Sequence, residues 1–213
     1  MSSARGSGGI MAQRQCECGF RYNETDPGDS ARHAERHDEW LKGAQFPPMP
    51  DEVRIARLAD IEVVLVTNAS PQEARERAAR VASRARLDTP FPAPAYTVAD
   101  AHPDSRVFIG RRGDRAVALA VLRPEPRWGW WSWDDYDEER RPATPVAPLT
   151  TWTVESIWTL PNAQQRGLAH QLLEVASRTV DQPIASFGWR RPFTPSGEAF
   201  VRRLCPEGFW IPD

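Results

Sequence analysis

The sequence predicts a mixed α/β sheet flanked by helices, with a small metal-binding unit ahead of it. Three observations support this. Short runs such as "IEVVLVT" (61–67) and "TWTVESIWTL" (151–160) have the β-branched composition or alternation of strands. Stretches such as "QQRGLAHQLLEVASRTV" (164–180) repeat apolar residues at helical spacing between those runs. Two of the three cysteines and two of the four histidines fall together between Cys16 and His37.

The elements follow in order. Residues 1–14 are rich in Ser and Gly and carry no apolar segment, so they read as a disordered leader. Residues 15–43 form the Cys/His unit, and 44–56, containing "FPPMPDE", read as a Pro-rich linker. The main domain is expected over 57–213. After the strand at 61–67, Ser70-Pro71-Gln72-Glu73 has the pattern of a capping box with Pro at the first helical position, opening a helix to about Leu87. "RVFIGRRGDRAVALAVLR" (106–123) is two apolar runs around a Gly turn, hence a hairpin. Residues 125–149 read as a strand end and then a long loop. In it Trp128, Trp130, Trp131 and Trp133 serve either the core or a substrate wall, and the acids from Asp134 to Glu139 form a solvated run that would suit a basic tail. The segment 151–160 is a central strand. The helix after it buries Leu168, Leu172 and Val175 and turns Gln171, Glu174 and Arg178 to another face. "PIASF" (183–187) reads as a core strand, "TPSGEAFVRRL" (194–204) as a capped helix and "FWIP" (209–212) as a terminal strand.

Composition excludes several classes. Twenty-seven basic residues against 29 acidic leave no basic excess, so a dedicated nucleic-acid binder is not expected. No stretch approaches the roughly 20 apolar residues that span a bilayer, so no membrane partner is expected. Three cysteines, two of them separated by a single residue, build no disulfide framework and fit a reducing cytoplasm.

His33 and His37 lie one helical turn apart and share a face, while Cys16 and Cys18 precede that helix. Zinc takes four such N and S ligands tetrahedrally, so these four are the expected Zn²⁺ ligands. The helix "DSARHAERHDEW" is as acidic as it is basic, which makes direct DNA reading an unexpected role and protein docking the expected one. Cys205 reads as a small buried residue and His102 as a loop residue.

Between the central strand and the following helix stands Gln164-Gln165-Arg166-Gly167-Leu168-Ala169. Helix N-terminal amides lack intrahelical partners and carry partial positive charge, so such a turn is a ready anion site. Small Gly167 and Ala169 would let a diphosphate approach, and Arg166 adds charge. This Q-x-x-G-x-A pattern after "SIWTL" resembles motif A of the Gcn5-related N-acetyltransferases, the GNAT fold. A closer resemblance, over about Gln15 to Ile211, is to the Eco/ESCO-type acetyltransferases of sister-chromatid cohesion. It is carried by Cys18-Gly19-Phe20-Arg21-Tyr22, Asp29 and His33 to His37 in the finger, then by "ESIWTLPNAQQRGLAHQLLE", "FTPSGEAF" and "FWIP".

The resemblance implies a mostly antiparallel GNAT sheet and acetyl-CoA-dependent acetylation of lysine on a protein substrate. It places Ile157, Trp158 and Thr159 along the acetyl-pantetheine arm, Gln165, Arg166, Gly167, Leu168, Ala169 and His170 at the pyrophosphate, and Thr194, Pro195 and Ser196 at another part of the cofactor. Two candidate bases follow from it: Glu155, on the strand where many GNAT enzymes keep a glutamate, and Glu174, which matches the family's helix glutamate. The chain departs from the family at three places. Its cysteines are Cys-x-Cys rather than Cys-x-x-Cys, the acid expected just before T-P is replaced around Arg191 to Phe193, and the family's strand serine is Glu155. The alternatives are acetylation of a small-molecule amine or antibiotic, and a non-catalytic zinc-finger adaptor that retains acetyl-CoA binding.

Overall fold

A computed structural model of the chain describes residues 13–89, 91–99, 102–143, 150–164 and 166–212, the side chains of Arg127 and Trp128 excepted. The expected leader lies outside these residues except for Gln13 and Arg14, which already belong to β1 (Gln13–Gln15). β1 pairs antiparallel with β2 (Arg21–Asn23), and α1 (Pro27–Lys42) follows. Asp26 caps α1 by accepting from the N–H groups of Gly28 and Asp29.

The helix ends at Gly43, whose φ is +93° and where a Cβ would fall 2.1 Å from the Ala116 carbonyl oxygen. Only glycine allows α1 to run this close to the sheet. The segment expected as a linker is therefore packed. β3 (Ala44–Gln45) pairs with β7 (Arg115–Trp131), Phe46 is 2% exposed, and β4 (Val53–Leu58) forms an unanticipated edge strand beside β5 (Ile61–Thr67).

Helix α2 (Gln72–Arg86) starts where expected, but the capping box does not form. Pro71 occupies the cap position and no side chain caps the helix; the Ser70 hydroxyl instead accepts from the Thr67 N–H at 3.0 Å. β6 (Arg106–Arg112) and β7 make the expected hairpin around Gly113, at φ +60°. β7 then runs on through Pro124 and Pro126, where a strand end was expected. Its first part pairs with β6 and β8 (Thr150–Thr159), and its last part with β10 (Phe209–Pro212). The acidic run after it is in part helical, α3 (Trp133–Asp137), capped by Ser132. Helix α4 (Leu168–Val180) buries Leu168, Leu172, Leu173, Val175 and Ala176, as its periodicity predicts.

"PIASF" is not a strand. It forms a 3-10 turn at Ile184–Ser186, and β9 begins only at Gly188–Trp189. Pro183 has no N–H for a ladder, and the Ser186 carbonyl is taken by the Thr151 hydroxyl and the Gln182 amide. Helix α5 (Pro195–Leu204) is capped by Thr194 as expected.

The main sheet runs β10-β9-β8-β7-β6-β5-β4, parallel where β9 meets β8 and β10 and antiparallel elsewhere. α4 lies across β7 and β8, and α2 across β3, β5 and β7. Phe108, Ile109, Leu119, Leu122, Leu172, Phe187 and Trp189 fill the core between them. Trp131 and Trp133 belong to the buried set.

Candidate active site

The feature that builds the site is a parting of strands. β8 and β9 are in register at Thr153 with Gly188 and Val154 with Trp189. The Arg190 N–H then donates to the Val154 carbonyl at 3.2 Å, and beyond that no rung joins β8 to β9 among the described residues. At the same point β8 bulges. Ser156 faces Val121 and Val154 faces Leu122, so Glu155 is the extra residue in the ladder with β7. A bulge of this kind re-aims a side chain and is common beside active sites.

Past the bulge, the Leu160 N–H bonds to the Val117 carbonyl on β7. Alternation along an antiparallel strand then turns the N–H and C=O of Ile157 and Thr159 to the opposite, open side. Ile157 and Thr159 are half-buried and line that gap. Trp158 does not: its ring is 4% exposed, its Nε1 donates to Asp88 at 2.8 Å, and Arg84 lies over its ring. Of the expected arm-binding triplet, Trp158 stands apart, since its ring is buried and its N–H and C=O face Leu119 on β7.

The strand leads through a 3-10 turn (Pro161–Ala163) to Gly167, at φ +75°, the residue before α4. No side chain among the described residues caps α4, so the first-turn amides remain available to an anion. A Cβ on Gly167 would meet nothing within 4 Å, which marks open space in front of the helix. Arg166 and His170 are exposed, Ala169 is half-buried, and Leu168 is an anchor in the core. Gln165 lies outside the described residues. Thr194 accepts from the Gly197 N–H at 3.0 Å, and its hydroxyl lies 3.2 Å from that of Ser196, which with Pro195 is exposed.

The two candidate bases stand in different surroundings. Glu174 projects from α4 with its side chain 46% exposed, 4.0 Å from His170. The Glu155 side chain is 8% exposed and sits in a closed ring of alternating charge. Arg190 Nε donates to it at 2.8 Å, and Arg190 Nη2 donates to both carboxylate oxygens of Glu125 at 2.8 and 2.6 Å. Arg123 Nη2 pairs with Glu125 at 2.5 Å, and Arg123 Nε faces Glu155 at 3.2 Å. Burial pushes the Glu155 carboxyl above the usual carboxylate range, against the opposing pull of Arg190 and Arg123. Sequence reasoning missed Arg190, Arg123 and Glu125. Only the last two left a trace, as opposite charges two apart on one strand face. Arg191, where the family's acid was expected, stacks on Trp131 at 3.9 Å.

At the N-terminus, one ligand atom each from Cys16, Cys18, His33 and His37 lies within 4.8 Å of the others. The Gly19 N–H bonds to the Cys16 carbonyl at 2.9 Å, closing a turn in which the short Cys-x-Cys spacing brings both thiols together. Cys16 Sγ is 3.3 Å from His37 Nδ1, near the roughly 3.5 Å edge of a zinc tetrahedron. His33 Nε2 is buried with no hydrogen-bond partner, the state of a nitrogen waiting for a metal. The residues present fit zinc.

No protein-family model and no curated protein matches this sequence. Among solved structures, it is similar to the xEco2 acetyltransferase domain bound to a K105-CoA conjugate, with a TM-score of 0.59 and 15% identity over 76% of this chain and 98% of that one. The chain has the fold of an Eco2 acetyltransferase domain. A second structure of the xEco2 acetyltransferase domain agrees, at TM-score 0.58 and 14% identity over 78% and 98% of the two chains. The predicted mixed, mostly antiparallel sheet flanked by helices is thus the architecture found. No helix among the described residues is long and apolar enough to cross a membrane.

Proposed function

We propose that this chain is an acetyl-CoA-dependent N-acetyltransferase whose acceptor is a lysine on a protein substrate. The observation that carries the reading is the parting of β8 from β9 at Val154, directly ahead of an uncapped, glycine-led helix N-terminus. One turns the backbone groups of Ile157 and the Thr159 N–H to an extended acyl-pantetheine arm, the Thr159 carbonyl being taken by the Gln164 amide at 3.3 Å, and the other offers amides to its diphosphate. The Eco2 domain of the same fold was solved with a CoA conjugate, which supports the same use of the gap here.

An acceptor lysine arrives as an ammonium with an ordinary pKa near 10.4. Glu155 takes one proton from it and passes that proton to solvent. The freed amine pair attacks the thioester carbonyl carbon, whose C=O pair moves to oxygen and is steadied by backbone N–H groups. When that pair returns, the C–S bond breaks, and the amine's second proton goes to the thiolate, giving the amide and free CoA thiol. Glu174, on the exposed face of α4, is the alternative proton acceptor. Thr194, Pro195 and Ser196 meet another part of the cofactor.

The Cys16/Cys18/His33/His37 unit would hold zinc, which fixes the finger's shape, and the finger presents the protein substrate. Thiols that stay free to hold a metal support a reducing compartment such as the cytoplasm. The test is incubation of the full chain with acetyl-labelled acetyl-CoA and host lysate. Label should enter protein as acetyl-lysine. Label confined to small molecules would make the acceptor a free amine, and no transfer at all would remove the enzymatic reading.

A further inference from the structure

Glu155 is buried among guanidinium groups, which is an unusual setting for a group that must accept a proton. Two positive neighbours stabilise its ionised form and weaken it as a base. The ring contains its own counterweight. Glu125, two residues beyond Arg123 on β7, holds Arg190 through both carboxylate oxygens and Arg123 through one. Each guanidinium is thus shared between a carboxylate that belongs to the strand gap and one that does not. Arg190 serves both carboxylates alike, with Nε 2.8 Å from each oxygen of Glu155 and Nη2 2.8 and 2.6 Å from those of Glu125. Arg123 is the uneven partner: its Nη2 pairs with Glu125 at 2.5 Å, while its buried Nε faces Glu155 at 3.2 Å without forming a hydrogen bond. Arg190 is also one-third exposed.

We propose that Arg190 and Glu125 are positioning residues of the acetyl transfer, with Arg190 restraining Glu155 and Glu125 drawing Arg190 and Arg123 off it so that it can take the acceptor's proton. This rests on the reading of Glu155 as the base. The charged groups facing Glu155 are Arg123 and Glu125 from β7 and Arg190 from the end of β9; on its own strand the neighbours Val154 and Ser156 carry no charge. The ring also explains how a glutamate can stand where the resemblance expects a serine, because an arginine and a second glutamate accompany it. Arg190 ties the ring to the site's geometry, since its own N–H makes the last link before the strands part.

The decisive measurement is the protonation midpoint of Glu155 in the full chain, read by NMR of ¹³C-labelled glutamate carboxyls and assigned by the signal lost in Glu155→Gln. Arg190→Gln removes a positive neighbour and should raise the midpoint by about one pH unit, whereas Glu125→Gln releases both guanidiniums onto Glu155 and should lower it by a similar amount. Arg190→Lys keeps the charge and should stay near wild type, which separates the charge effect from a disturbed fold. Midpoints that coincide in all four proteins would overturn the proposal, whether or not an acceptor is known. The acidic limb of acetyl transfer to lysate protein, followed against pH, should move in the same two directions. NMR midpoints that move while this limb stays fixed would overturn the role in transfer and return the base to Glu174, leaving the acetyltransferase reading intact. Absence of transfer in wild type would remove that reading, and with it this role.

Discussion

Gly167 does two jobs that a pair of substitutions can separate. Its φ of +75° disfavours any side chain, at about 1–2 kcal/mol for an ordinary residue, while the space around its missing Cβ is open. Gly167→Ala should therefore lower stability by roughly 1 kcal/mol in denaturant titration and leave acetyl-CoA affinity near wild type. Gly167→Glu adds a carboxylate at the proposed diphosphate position and should weaken binding more than about tenfold by calorimetry, a loss above 1.4 kcal/mol. Equal affinities for the two variants would move the diphosphate elsewhere. For the bases, Glu155→Gln should reduce turnover by roughly 10²–10⁴-fold with acetyl-CoA binding retained. Glu174→Gln should cost far less, because that side chain lies open to water. The reverse order of effects would assign the proton to the helix. The strand that carries Glu155 and the turn at Gly167 ahead of a helix were legible in the sequence because each is a local pattern. The ring around Glu155 was not. Arg190 and Glu125 are 65 residues apart, and a strand bulge sets the register that brings them together.

At the scale of elements, what the sequence predicted well was whatever depends on a single segment. The stripe of α4, the β6–β7 hairpin and the Thr194 cap are local and came out as read. The misreadings arose where another segment decides. Ser70 caps nothing because Thr67 claims its hydroxyl, and β4 was hidden because its alternation is weak and its partner lies on β5. β4 is instead secured by charge. The Glu52 side chain, 4% exposed, accepts from Arg111 at 2.6 Å, and Arg111, 1% exposed, also pairs with Glu62 on β5. Burial pushes the Glu52 carboxyl up, but Arg111 and the Met49 N–H outweigh it and hold it below the usual range; Arg111 holds Glu62 low as well. Carboxyls with lowered folded-state pKa contribute stability that is present above their unfolded value near 4.5 and is lost as pH falls through the folded value. Wild type should therefore lose stability steeply below about pH 4.5. Glu52→Gln, which leaves the buried Arg111 to its pairing with Glu62, should cost about 1–3 kcal/mol at neutral pH and flatten that acid slope. An unchanged slope in the variant would place the acid sensitivity elsewhere.

At the scale of the whole molecule, the finger and the sheet are not two beads on a string. The sequence suggests that they are, because prolines between 46 and 50 imply a spacer; the burial of Phe46 and the pairing of β3 with β7 depend on residues 70 positions away and leave no local mark. The last turns of α1 are fastened to the main sheet domain by several bonds. Asp38 pairs with Arg115 at 2.8 Å, Arg115 donates to the Gly43 carbonyl at 3.2 Å, and Asn162 donates to the Leu41 carbonyl at 2.6 Å. The opposite end of α1 has no such support: the helix contains no buried residue, and of the metal ligands only Cys18 is buried. Beyond the stacking of Tyr22 on His33 and the Asn23 N–H bond to Asp29, its order would come from a bound metal, whose binding energy is folding energy in small units of this kind. Cys18→Ser should abolish binding of one zinc per chain and expose residues 13–37 to rapid hydrogen exchange, with protection kept from Asp38 through Phe46. Acetyl-CoA affinity should then fall by no more than about threefold, under 1 kcal/mol, because Asn162 keeps its partner at the end of α1 and so keeps the turn ahead of Gly167 in place. Exchange that spreads past Asp38 into β3, together with a large loss of acetyl-CoA binding, would show instead that the metal holds the main sheet domain as well as the finger.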